Sequence, residues 1–124
     1  MTSIDVRGVK YELLLNNWAM NEISNVCQDQ DLGNLNQAMT GKDKIKNISY
    51  MIVAMVMGAE KAKEYEARIE GKTYEPRHIN IDDLMTLPAG SLGKLAEAVK
   101  AAIQEGTETQ VQLEPAKKKD GSTS

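Results

Sequence analysis

The stretch MIVAMVMGA, residues 51–59, decides the fold, because it is the longest apolar run in the chain. It ends a predicted helix over residues 43–57, which Asp43 is placed to cap. One face of that helix is apolar at helical spacing: Ile45, Ile48, Ile52, Met55 and Val56. The second half is apolar on every side, which is typical of a helix at the centre of a fold. Gly58 is expected to interrupt or kink it.

The segment that follows, AEKAKEYEARIEGK at residues 59–72, is strongly charged. It predicts a separate helix that projects or lies at an edge and that Gly71 closes. Its thin apolar stripe consists of Ala62, Tyr65 and Ile69. Glu64 and Arg68 stand four residues apart in the order that favours a surface ion pair. Because the stripe needs a neighbour, the candidate partner-binding residues are Tyr65, Arg68 and Ile69.

Upstream of the central helix, apolar and polar residues alternate on both sides of an Arg-Gly pair. This alternation predicts two short antiparallel strands, at about residues 3–7 and 9–15. Gly8 is suited to the positive φ that a tight hairpin turn demands. The chain therefore opens with a β-hairpin.

Helical spacing then predicts a helix over residues 17–28, with Asn16 or Asn17 as its N-cap. A second short helix is predicted from Asp31, as its cap, to Thr40. Its apolar face consists of Leu32, Leu35 and Met39.

The chain after Gly71 is expected to be extended up to a short helical turn that Asp82 caps and that ends near Pro88. A clear amphipathic helix follows, and Gly106 is its expected C-terminal stop. Its stripe consists of Leu92, Leu95, Val99 and Ile103.

These elements predict an α+β fold that is mainly α: an N-terminal β-hairpin followed by a bundle of about four to five helices. Residues 1–106 form the predicted domain. The polar sequence of residues 107–124 predicts a flexible, disordered tail.

Composition limits the classes of function. Fifteen basic residues face eighteen acidic ones among 124, a formal net charge of −3, which argues against broad nucleic-acid binding. A single cysteine cannot form an internal disulfide. The N-terminus lacks the pattern of a signal peptide, and no apolar run approaches the ~20 residues that span a bilayer. We expect a soluble, cytoplasmic protein without a membrane partner.

No residue pattern predicts catalysis, a metal or a cofactor. His78 is the only histidine, nothing marks a nucleophile beside it, and it is expected to be an ordinary loop residue. Cys27 lies on an apolar helix side near acidic residues, which disfavours a reactive thiol. Asp82 and Asp83 fit the first turn of a helix better than an acidic catalytic pair. The stretch AGSLGKL, residues 89–95, lacks the pattern of a phosphate loop.

Methionine is unusually frequent, with seven residues in a chain that has no phenylalanine. Methionine is deformable, so it fills irregular cores and also suits surfaces that accept varied partners. Core filling is the favoured interpretation. Both interpretations, core filling and partner binding, can hold if the methionine-rich helix is exposed before assembly.

The opening residues carry a family resemblance. Residues 4–13 have the pattern I-x-V-x-G-V-x-Y-x-L, in which Lys10 to Leu13 read KYEL, and a helix bearing Trp18 and Met20 follows. This order of strand, glycine-centred turn, strand and helical body resembles tail assembly chaperones of long-tailed bacterial viruses. The resemblance is sharpest over residues 4–23 and covers the rest of the chain loosely.

The resemblance implies a non-enzymatic protein that binds the long, apolar tape measure protein. Such a chaperone keeps the tape measure protein soluble, helps the tail tube to polymerise around it, and is not retained in the mature virion. It acts in the host cytoplasm, and homo-oligomers are expected because a protein that coats a long ligand also contacts itself.

The family is often made in two lengths, and a ribosomal frameshift appends a domain that contacts the tail tube protein. Lys117–Lys119 is the hypothesised site, since lysine codons can form an A-rich slippery stretch. A lysine-bearing tail without a translational role is the alternative.

Two other classes of function stay open. One is a different small, non-enzymatic structural or adaptor protein of the virus, or a bacterial regulator. The other is a small enzyme, which a deep pocket around His78 and acidic residues would favour.

Overall fold

The structure is a computed structural model, and it describes residues 1–108. An antiparallel hairpin, β1 (Ser3–Val6) and β2 (Val9–Glu12), opens the chain. Five α-helices follow: α1 (Asn17–Ser24), α2 (Leu35–Thr40), α3 (Lys44–Ile69), α4 (Ile81–Met85) and α5 (Leu92–Glu108). Short 3₁₀ turns lie at Gln28–Gln30, Leu32–Asn34 and Ala89–Ser91. The expected α+β, mainly helical fold is confirmed.

Helix α3 is the centre of the fold, as its apolar sequence predicts. The other four helices and β2 all contact it. Met51, Ile52 and Met55 are fully buried at its middle. No helix within residues 1–108 combines the length and the apolar character needed to cross a membrane.

Gly58 does not interrupt α3, so the predicted break is wrong and the two predicted helices are one helix of 26 residues. The glycine is needed for a close approach instead. A Cβ atom at Gly58 would lie 2.7 Å from both the Leu14 carbonyl oxygen and Asn16 Oδ1. The connection between β2 and α1 therefore passes directly over the helix backbone.

Two hydrogen bonds hold this connection on α3. The Leu14 N–H donates to the Met55 carbonyl at 3.1 Å, and the Asn16 side-chain amide donates to the Gly58 carbonyl at 3.0 Å. Asn16 Oδ1 also accepts from the Ala19 N–H at 3.1 Å, which makes Asn16 the N-cap of α1. Since this crossing takes Leu14 out of the sheet, β2 ends at Glu12 and not at the predicted residue 15.

The hairpin turn is of type I′, because Arg7 and Gly8 have φ values of 50° and 85°. The Gly8 N–H donates to the Asp5 carboxylate at 2.9 Å. A positive φ is uncommon for arginine. Here two hydrogen bonds hold the Arg7 side chain in place. Its guanidinium donates to the Asp83 carbonyl at 2.6 Å and to Thr86 Oγ1 at 2.7 Å, which joins the turn to α4.

The predicted helix ends are partly wrong. Helix α1 ends at Ser24, before the predicted residue 28. Asp31 caps only the 3₁₀ turn Leu32–Asn34, accepting from the Gly33 N–H at 2.9 Å, and α2 begins at Leu35, later than predicted. Asp43 holds the N-cap position of α3 without a side-chain hydrogen bond. Asp82 lies inside α4, and the cap is formed by Asn80, whose N–H donates to the Asp83 carboxylate at 2.8 Å.

Gly106 does not end α5, which continues through Thr107 and Glu108. A Cβ atom at Gly106 would lie 2.7 Å from the Leu15 Cβ and 2.9 Å from the Leu15 carbonyl oxygen. This glycine therefore permits close packing and is not a C-terminal cap. The rest of the predicted tail, 109–124, with Lys117–Lys119, lies outside the described residues.

We expect Gly58→Ala to destabilise the protein by about 1–3 kcal/mol, because the added methyl group must push apart two backbone segments. Urea unfolding measures the effect. Gly93→Ala is the matched control: it also lies in a helix, with nothing within 4 Å of the added Cβ. It should stabilise by up to about 1 kcal/mol through helix propensity. Equal effects of the two changes would contradict the close approach at Gly58.

Candidate partner-binding groove

A groove lies between α1, α3 and the extended segment 73–80, with a volume of about 430 Å³. Trp18 stands at its edge and is 49% exposed, which is unusual for the largest apolar side chain. The apolar wall consists of Val53, Val56, Met57, Pro76 and Ile79, and Glu22, Glu60, Lys61, Glu64, Arg77 and His78 add polar groups. We call this surface the Trp18 groove.

The wall formed by segment 73–80 is fixed by Glu60, a residue of α3 that is only 2% exposed. Its carboxylate accepts from the Tyr74 hydroxyl at 2.6 Å and from the Arg77 N–H at 2.8 Å. Lys63 Nζ lies 3.5 Å and the Arg77 guanidinium 3.8 Å from Glu60 Oε2. A buried carboxylate is thus paired and hydrogen-bonded, which is the condition for keeping its charge.

Opposing effects act on the pKa of Glu60. Burial by itself raises the pKa, because it disfavours the charged form. The hydrogen bonds from Tyr74 and the Arg77 N–H and the charges of Lys63 and Arg77 lower it, and together they outweigh burial. The pKa of Glu60 is therefore below its ordinary value, and the ionised form stabilises the fold.

The same cluster extends to the hairpin. The Arg77 guanidinium donates to the Lys10 carbonyl at 3.0 Å and lies 5.0 Å from the centre of the Tyr11 ring. Lys63 Nζ lies 3.1 Å from the Glu12 carboxylate. Segment 73–80 is consequently held against both α3 and β2, and the groove is a preformed surface.

A second hollow of about 500 Å³ continues the groove along α3. Both hollows are lined by Trp18, Lys61 and Glu64, and Tyr65 and Arg68 line the second. Lys61 Nζ lies 5.0 Å from the Trp18 ring centre, and the Arg68 guanidinium carbon lies 5.7 Å from that of Tyr65. These are cation–π contacts at the surface.

The structure thus brings two of the three predicted partner-binding residues, Tyr65 and Arg68, to one hollow. Ile69 is exposed at the end of α3 but does not line it. Trp18 was not among the predicted partner-binding residues, because an apolar residue in a predicted helix is ordinarily part of the core. The signal for it was its place directly after the two asparagines that begin the helix, where few neighbours exist to cover a large ring.

His78 is exposed at the groove and, within residues 1–108, has no hydrogen bond or ion pair. A catalytic imidazole requires a partner that fixes its orientation. Cys27 is buried, its thiol lies 3.6 Å from the Ile23 carbonyl, and burial and then Asp31 raise its pKa. No cluster of three potential metal ligands occurs in the described part of the chain.

Comparisons of the chain with protein-family models, with curated proteins and with solved structures found no match. The role of the Trp18 groove is therefore inferred from the residues that it presents. An exposed tryptophan beside a tyrosine and an arginine is the composition that dominates binding energy at protein interfaces.

Replacing Glu60 by glutamine should destabilise the protein at pH 7 by about 1–3 kcal/mol, since the charge that Tyr74, Arg77 and Lys63 surround is lost. Because the folded-state pKa of Glu60 is lowered, its stabilisation is present above about pH 4.3 and is lost as the pH falls through the folded pKa. The gap between wild type and Glu60→Gln should therefore narrow as the pH falls below the ordinary glutamate pKa of about 4.3.

Urea unfolding at several pH values measures this gap. The matched control is Glu66→Gln, an exposed glutamate of the same helix, which should change stability by less than about 0.5 kcal/mol. A gap for Glu60→Gln that stayed constant with pH would contradict a lowered pKa.

Proposed function

We propose that this chain is a tail assembly chaperone of a long-tailed bacterial virus and that the Trp18 groove binds the tape measure protein. The observation that carries the proposal is the half-exposed Trp18 between two continuous hollows on a preformed helical surface. A surface of this kind stays uncovered in a protein whose role is to cover another chain.

The dimensions of the surface suit a helical ligand. From Met57 to Arg68 the exposed side of α3 advances about 16 Å, which is the length of three helical turns. An amphipathic helix would place side chains at i, i+3 or i+4 and i+7 in the two hollows. Apolar surface of the tape measure protein is thereby removed from water, and this is how the chaperone would keep it soluble.

Charges around the groove limit nonspecific association. Lys61 and Arg68 alternate with Glu64 along the same face of α3. Such mixed charges disfavour the wrong partners more than they add affinity for the correct one. Individual contacts are then weak, and many copies acting along one long tape measure chain would supply the avidity. Weak single contacts also allow the chaperone to leave when the tail tube replaces it.

The N-terminal hairpin and helical body agree with the resemblance over residues 4–23. The proposed place of action is the host cytoplasm, without retention in the mature virion. A longer form, if produced, would add contacts to the tail tube protein. The proposed role involves no catalysis and no cofactor, and homo-oligomers fit a protein that coats a long ligand.

The alternative is another small, non-enzymatic structural or adaptor protein of the virus. Purified virions distinguish the two, because a structural protein stays in the particle and a chaperone does not. An enzymatic role is less favoured, because His78 at the groove has no orienting partner among residues 1–108.

Binding is measurable through Trp18, the only tryptophan of the chain. A synthetic apolar helical segment of the tape measure protein that lacks tryptophan should shift its fluorescence to shorter wavelength as the ring is buried. Tyr65→Ala should weaken the binding by about tenfold or more, as expected for an interface hot spot. Titration at constant protein concentration gives the affinity.

Met20→Ala is the control, because Met20 is an exposed apolar residue of α1 that lines neither hollow. It should leave the affinity within about twofold of wild type. The proposed site would be refuted by equal losses in the two variants. Absence of any binding by wild type would refute the function itself.

Mass spectrometry of cells that express the native locus tests the longer form. We expect peptides from a product that shares this N-terminus and diverges near Lys117–Lys119. Synonymous changes that interrupt the A-rich lysine codons should abolish that product and leave the shorter one. Detection of only the 124-residue product would remove the frameshift hypothesis without affecting the groove.

A further inference from the structure

A third hollow, of about 270 Å³, lies between the first turns of α3, α4 and the start of α5. It shares no residue with the Trp18 groove. Ile45, Leu84, Met85, Leu92 and Leu95 form most of its apolar wall, and every residue that lines it is uncharged. We call it the Ser49 pocket, after the buried serine in that wall.

Ser49 is the unusual member of this wall. It is only 1% exposed, and within residues 1–108 its hydroxyl has no hydrogen-bond partner. The other hydroxyl in the wall, on Ser91, donates to the Pro88 carbonyl at 2.7 Å. A buried hydroxyl without a partner costs free energy, so a ligand that supplies a hydrogen bond there is favoured.

The lining restricts the ligand chemistry. A charged group would lose its hydration without gaining a counter-charge. An aliphatic group would fill the hollow but leave the Ser49 hydroxyl unpaired. The volume exceeds the ~150 Å³ that holds benzene and is below that of pockets for drug-sized molecules. A single aromatic ring with one neutral hydrogen-bonding group fits both the size and the polarity.

The rim of the pocket favours a protein segment over a free small molecule. Ile45 and Met85 stand at the opening and are 51% and 43% exposed. A molecule confined to the hollow would leave these two apolar side chains in water. A polypeptide that places one ring in the pocket would cover them with its neighbouring residues, as the rim around an interface hot spot does.

We propose that the Ser49 pocket binds a tyrosine side chain of a partner protein, with the phenolic hydroxyl hydrogen-bonded to Ser49. A phenol and a serine hydroxyl can each donate and accept, so either orientation of the bond is satisfied. Apolar residues beside the tyrosine contact Ile45 and Met85. This site is independent of the proposed tail-assembly function, because the two surfaces share no residue.

The first test compares 4-methylphenol with toluene, which differ only in the hydroxyl, by NMR of the full chain labelled at leucine and isoleucine methyl groups. 4-Methylphenol should shift the signals of Leu84, Leu92 and Leu95 saturably and bind about tenfold more tightly than toluene. Ser49→Ala should abolish the difference between the two probes. Ser91→Ala should preserve it, since that hydroxyl already has a partner.

Equal affinities of the two probes for wild type would overturn the role of Ser49. Methyl shifts confined to the Trp18 groove, or no binding of either probe, would overturn the pocket.

The second test uses the peptide acetyl-Leu-Tyr-Leu-amide to separate a protein-docking site from a small-phenol site. The peptide should bind about tenfold more tightly than 4-methylphenol, and Ile45→Ser should remove most of that gain, because it weakens the peptide several-fold more than it weakens 4-methylphenol. A peptide that bound no more tightly than the phenol would overturn the assignment to a protein partner. The assignment would also be overturned if the methyl signals of the pocket shifted with protein concentration in wild type but not in Tyr65→Ala, because the occupant would then be a second copy of this chain.

Discussion

The close approach of residues 14–16 to the backbone of α3 at Gly58 is the contact on which the rest of the arrangement depends. It requires a residue without a side chain at the centre of the longest helix. In return, Asn16 bonds to the Gly58 carbonyl and caps α1 with the same side chain. The start of α1, and with it the ring of Trp18, is therefore placed relative to α3 by hydrogen bonds to the helix backbone.

Glu60, two residues after Gly58 in α3, completes this placement. Its carboxylate gathers Tyr74 and Arg77, which belong to a segment without regular secondary structure. Extended chain of that kind packs firmly only where its polar groups are satisfied. The Glu60 carboxylate thus fixes the position of segment 73–80, as the Asn16 side chain fixes the start of α1. The Trp18 groove lies between these two elements.

The sequence predicts best those features that depend on local period. The alternation around Gly8 predicts the hairpin, and the apolar run at residues 51–59 predicts the central helix, because both patterns report which faces are buried. Gly58 and Gly106 were misjudged, since a glycine that permits a close approach looks the same in sequence as one that ends a helix. Local spacing cannot show which segment of the chain will cross the helix at such a glycine.

The residues of the candidate sites were likewise predicted only where local spacing was sufficient. Tyr65 and Arg68 were predicted from an exposed stripe on one helix. The burial of Glu60 and Ser49 was not predicted, because it results from segments that reach α3 from elsewhere in the chain. Glu60 is covered by residues 14 and 17 positions later, and Ser49 by α4 and α5. A polar residue in a helix is usually exposed, and its burial depends on which other segments pack against the helix.

The Arg7 turn has a consequence for the order in which the protein folds. An isolated two-stranded hairpin is at best marginally stable in water. Here the turn is tied to Asp83 and Thr86, 76 and 79 residues later, and Thr2 is bonded to Glu105 across 103 residues. During synthesis, the hairpin must therefore wait until the residues of α4 and α5 have been made before these contacts form. Closure of the fold is a late, long-range event that joins the two ends of the described chain.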